Sequence, residues 1–144
     1  MSNETVATVA TATNTTQTAE LAYNMASPSS GLRFVIASLD TLPVLRLTVS
    51  NLVSDPTGSS VVFSMKNADT GVVTVSRASA QIGSITSASS LYTCILSYTF
   101  SAVTSATPGI YEAEFEVTLP GGGIITIPND PKYPITVVIK NDIA

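Results

Sequence analysis

Three carboxylates stand at alternate positions, Glu112, Glu114 and Glu116, within the run Ile110–Leu119. Successive side chains of a strand point to opposite faces, so the three acids share one face. Tyr111, Ala113, Phe115, Val117 and Leu119 share the other. Calcium takes carboxylate ligands at about 2.3–2.6 Å, but strand neighbours at i and i+2 sit about 6.5–7 Å apart. One ion would need side-chain convergence and oxygens from other strands. Glycoside hydrolysis needs an acid and a base facing each other across a cleft, and acids on one strand point the same way. The row reads as a solvated face that also discourages edge pairing.

The remaining chemistry-bearing residues read as structural. Ser64 and Lys66 share a strand face, a pairing able to activate a nucleophile, yet no oxyanion loop accompanies them. Gly121-Gly122-Gly123 is followed by the β-prone Ile124-Ile125-Thr126-Ile127 rather than a helix, so it reads as a hairpin turn and not a phosphate loop. The single cysteine, Cys94, sits in Tyr92-Thr93-Cys94-Ile95-Leu96 and reads as a buried, inert thiol. There is no histidine, which removes the commonest general base, the Ser-His-Asp arrangement and nearly every zinc site. No catalytic, cofactor or metal residue is expected, and the chain reads as non-enzymatic.

The elements that carry these residues follow from composition and periodicity. The chain has 144 residues, 44% hydrophobic and 11% charged, with a net charge of −4. That suits one domain with a core. Six cations cannot neutralise a run of phosphates, so nucleic acid is not an expected partner. No apolar stretch of about 18 residues is present, so no membrane span is expected. The start, Met1-Ser2-Asn3-Glu4, lacks the basic flank and apolar block of a secretory signal.

Residues 1–30 are rich in Thr, Ala, Asn and Ser and read as a low-complexity N-terminal arm that orders on a partner. Within it Leu21 and Met25, at i and i+4, suggest a helical turn. Val6, Val9, Leu21, Tyr23 and Met25 are its candidate partner-binding side chains. Residues 31–144 alternate short strands with turn signals every 8–12 residues. This predicts an all-β, antiparallel sandwich. The loops are too short for βαβ crossovers, which argues against parallel pairing. Val72–Arg77 and Ala80–Ile85 read as separate strands, with a polar loop over Ser84–Ser90. Gly109-Ile110-Tyr111 reads as a tyrosine corner, whose hydroxyl bonds back to the preceding loop.

The run Thr107-Pro108-Gly109-Ile110-Tyr111-Glu112-Ala113-Glu114-Phe115-Glu116-Val117-Thr118, then Leu119-Pro120-Gly121-Gly122 and Ile127-Pro128-Asn129-Asp130, resembles a known pattern. It is similar to the C-terminal half of the small Ig-like domain of phage baseplate upper proteins and of many short phage virion proteins. Leu39-Asp40-Thr41-Leu42-Pro43-Val44-Leu45 is similar to that family's G-D-T-x-P-x-L motif, with Leu39 where the family often has Gly. Ser59-Ser60-Val61-Val62-Phe63-Ser64-Met65-Lys66 fits its x-x-V-x-F-x-M-(K/R) strand. The resemblance runs from about Leu32 to Ile139. It implies an Ig-like sandwich and a bacteriophage virion structural protein in the tail or baseplate, the neck or the head decoration. It also implies assembly in the host cytoplasm, other virion proteins as partners, and a homo-oligomer within a symmetric particle. The alternative is a host-surface or carbohydrate-binding adhesion module, which would use exposed tyrosines among Tyr23, Tyr92, Tyr98 and Tyr133.

Overall fold

A computed structural model describes residues 18–143. Those residues form nine strands and no helix: β1 (Thr18–Asn24), β2 (Arg33–Ala37), β3 (Val44–Leu52), β4 (Ser60–Asn67), β5 (Val73–Ala88), β6 (Leu91–Tyr98), β7 (Gly109–Thr118), β8 (Ile124–Ile127) and β9 (Ile135–Lys140). Eight follow one another in the order β1-β3-β6-β5-β4-β7-β9-β2, and β8 pairs with β7. The end strands β1 and β2 lie alongside each other without pairing, so the sheet is nearly closed into a barrel. The all-β expectation holds.

Three expectations are corrected, the third at β5 below. The sheet is mixed, because β1 pairs parallel with β3 and β2 pairs parallel with β9. A parallel pair needs a long connection. Here other strands supply it: β2 lies between β1 and β3 in sequence, and β3 to β8 lie between β2 and β9. The second correction concerns residues 1–30. Thr18–Asn24 is a strand within the sheet, with no helical turn, and only residues 1–17 of that segment lie outside the described chain. The i,i+4 spacing of Leu21 and Met25 is outweighed by period-2 spacing, because Ala19, Leu21 and Tyr23 all turn toward the core.

One hydrophobic cluster fills the barrel. Phe63 of β4 stacks on Tyr98 of β6 at 4.2 Å between centroids, and meets Phe115 of β7 edge-on at 5.2 Å. Such a ring is worth about 1.5–3 kcal/mol when fully buried. β7 shows why the residues form this wall: Tyr111, Ala113, Phe115 and Val117 are buried, and Glu112, Glu114 and Glu116 face outward.

β5 is a single strand of 16 residues where two were expected. Its first half pairs with β4 and its second with β6. Bulges opposite Ser64 and Cys94 bend it, and Arg77 and Ser84 sit there at φ 53° and 51°. A bulge adds twist, which lets one strand serve both sides of the barrel. Ser89 and Ser90, both at positive φ, then form a two-residue turn into β6. On β7, one edge is shared: β9 pairs with Gly109–Ala113 and β8 with Phe115–Thr118. The break Pro128-Asn129-Asp130-Pro131 separates those partners.

Neighbouring strands run in opposite directions except at the two parallel pairs, so the connections sort to two rims. The lower rim holds residues 38–43, 68–72 and 99–108, the end of β9 and the start of β1. The upper rim holds residues 25–32, 53–59, 89–90 and 119–123, whereas 128–134 lies partway down the wall, level with Ala113 and Phe115 of β7.

Candidate interaction surfaces

The acidic row lies on the outer face of β7 and is partly neutralised by its neighbours. Lys66 Nζ stands 3.9 Å from Glu112, and Arg77 pairs with Glu116. Exposed pairs of this kind contribute about 0.2–1 kcal/mol. Among the described residues, no group of three or more Asp, Glu or Cys side chains is arranged to hold a metal ion. A shallow groove of about 390 Å³ runs between this face and the loop carrying Pro128, Pro131 and Pro134.

Ser64 serves the fold, since its hydroxyl accepts the backbone N–H of Arg77 at 3.0 Å, at the first bulge of β5. Cys94 is wholly buried, and that burial pushes its thiol up to about 11, so it stays protonated and unreactive at neutral pH. The glycine run is a hairpin turn, with Leu119 N–H donating to Gly123 O at 2.8 Å and Gly122 at φ 99°.

The tyrosines are mostly committed to the fold. Tyr111 is buried, and its hydroxyl donates to Thr107 O at 2.6 Å, the back-bond expected from Gly109-Ile110-Tyr111. Tyr23 and Tyr98 are buried as well, and the Tyr23 hydroxyl donates to Asn129 Oδ1 at 2.5 Å. Tyr92 and Tyr133 are half-buried. Of the five apolar residues expected to bind a partner, Tyr23 belongs to the core and Leu21 packs against it. Val6 and Val9 lie outside the described residues. Met25 lines a surface groove.

That groove lies on the upper rim. Met25, Leu52, Val53, Leu91 and Ile125 line most of it, and it encloses about 400 Å³. Val53, at its edge, is 82% exposed. The loop that carries Val53 is ordered by Asp55, whose Oδ1 accepts the Thr57 hydroxyl at 2.6 Å and the Thr57 backbone N–H at 2.9 Å. Those two bonds, the hydroxyl's first, hold the Asp55 carboxyl below its ordinary range.

On the lower rim two loops are tied together. Leu39 N–H donates to Ser105 O at 3.0 Å, the buried Ser105 hydroxyl donates to Asp40 O at 2.7 Å, and the Ser38 hydroxyl donates to Ala106 O at 2.6 Å. These loops present Leu39 at 61% exposure and Val103 at 84%, with Leu42 beside them in sequence. Leu39 sits at φ 70°, in the left-handed region. A bulky side chain held there costs about 1–2 kcal/mol.

The exposed large apolar residues follow one rule. Leu39, Leu42, Val53, Val72, Val103 and Ile143 lie in connections or in terminal chain. Val73, Leu91, Ile110 and Ile124 lie at the first or second position of a strand. The middle of the wall exposes none among the described residues. In the sequence the loop residues read only as punctuation between strands. The available signal is an apolar residue inside a polar turn, as at Val53 in Asn51–Ser60. The chain matches no protein-family model, no curated protein and no solved structure.

Proposed function

We propose that this protein is a non-enzymatic structural protein of a bacteriophage virion, built on an Ig-like sandwich and joined to other virion proteins through its rims. The observation that carries the reading is the placement of exposed apolar side chains at the two ends of a polar-walled barrel. Exposed apolar patches rimmed by polar residues mark protein interaction sites, and two opposed ones suit a link in an assembly. The Ig-like assignment draws support from the Tyr111 back-bond, a bond of the kind that the tyrosine corner of Greek-key sandwiches makes. The phage assignment rests on the resemblance of the strand motifs. At Leu39, where that family often carries Gly, the backbone adopts a conformation that Gly takes without strain.

In this reading the partners are other virion proteins and further copies of the chain, and its location is the virion, assembled in the host cytoplasm. The adhesion alternative loses ground, because Tyr23 and Tyr98, two of its four tyrosines, are buried. Peptide mass spectrometry of gradient-purified particles from cells that carry the gene tests the proposal. The protein is expected at a fixed ratio to the major virion proteins. Its confinement to the particle-free fraction overturns the reading.

A further inference from the structure

We propose that β1 is a strap that opens from the barrel as a unit while the other strands stay closed, and that the Tyr23–Asn129 hydrogen bond is its latch. β1 pairs with β3 along one edge, and among the described residues nothing pairs with its other edge. The pairing is parallel, the slightly weaker kind per residue. Of the seven residues of β1 only Tyr23 is buried, and the inward-facing Ala19 and Leu21 stay partly exposed. β2, at the other end of the sheet, is shorter yet buries both Phe34 and Ile36 within five residues. The two edges of the seam therefore differ: core side chains pin β2 far more than they pin β1. Segments with few buried apolar side chains open at lower free energy than the core.

The polar ties of β1 sort the same way. Glu20 meets Arg46 at 3.0 Å, Asn24 Oδ1 accepts Asn51 Nδ2 at 2.7 Å, and the Met25 N–H donates to Ser50 O at 3.0 Å. All three run to β3, the strand that β1 already pairs with. Among the described residues the Tyr23 hydroxyl alone crosses the seam, donating to Asn129 Oδ1. Asn129 is exposed and belongs to 128–134, the segment that borders the proline-lined groove. Met25, just past β1, lines the upper-rim groove, so one strap touches both grooves. The hinge is the connection to β2. Residues 29–31 are exposed, Gly31 sits at φ 102°, and the chain is anchored again at buried Leu32. An open strap leaves the nine residues of β3 as a free edge, a template for pairing with extended chain.

Native-state hydrogen exchange on the full chain, read residue by residue at rising urea below the unfolding transition, tests the strap. Amides of β1 that bond to β3 should exchange at least about 10-fold faster than those of β4 and β7, with little dependence on urea, because their opening exposes little surface. Tyr23→Phe and Asn129→Ala each remove one partner of the latch, and each should speed β1 exchange about 2- to 10-fold. The double variant should speed it no further than Tyr23→Phe alone. Tyr111→Phe is the control, since the bond to Thr107 O stays made when the strap opens. It should speed exchange in β4 and β7 and leave β1 as it is. The proposal is overturned by β1 amides that exchange in step with β4 and β7, or by latch variants that leave β1 unchanged or add fully. A Tyr111→Phe change that speeds β1 as much as β7 overturns it as well.

Discussion

The wall of the barrel and its rims follow opposite rules. Along β7 every buried side chain is apolar and three of the outward ones are carboxylates. At the rims, Leu39, Val53 and Val103 stand in water although the core has no place for them. The difference gives apolar residues two roles in one small domain. In the wall they close the fold, and the outward acids keep its outer face polar, since β7 is paired on both edges and has no free edge to guard. At the rims they stand outside the core, where the proposed function puts contacts with other proteins.

Substitutions at each place should separate the two roles. Phe63→Ala removes the ring that meets Tyr98, Phe100 and Phe115, and should cost about 3–5 kcal/mol in urea unfolding. A cost under about 1 kcal/mol would mean the wall is not the stabilising region. Tyr111→Phe keeps the ring and removes only the bond to Thr107 O, so it should cost about 0.5–1.5 kcal/mol. Leu39→Gly should have the smallest effect, in the opposite direction. Relief of about 1–2 kcal/mol of left-handed strain exceeds the entropy penalty of about 0.5–1 kcal/mol for Gly, so stability should hold or rise slightly. A Leu39→Gly protein that is clearly less stable would place Leu39 with the wall and end the contrast.

The legible parts of the fold are those governed by local rules. Strict alternation marks β7, three glycines mark the β7–β8 turn, and a tyrosine just after a turn marks the Tyr111 back-bond. β5 is hidden, because bulges at Arg77 and Ser84 each insert a residue and reset the alternation. It therefore reads as two fragments and a loop. β1 is hidden by its small residues, which leave Leu21 and Met25 as the visible spacing although Tyr23 carries the burial. The parallel pairs lie beyond local rules altogether, since each partner is chosen by the whole path of the chain. Of the candidate site, only Met25 is legible. Leu39, Val53 and Val103 are single residues in turns, and no periodicity points to a solitary side chain.

The pairing of β2 with β9 bears on how the protein is made. Roughly a hundred residues separate Val35 from its partner Val138, so this contact closes one of the longest loops in the chain, and folds dominated by such pairings form slowly. During translation β2 leaves the ribosome long before β9 exists. Until then Phe34 and Ile36, which end up fully buried, have no finished sheet to join. The nascent barrel therefore stays open along that seam until the last strand arrives, and a chain cut short before Ile135 would reach the cell with its core exposed and prone to aggregate.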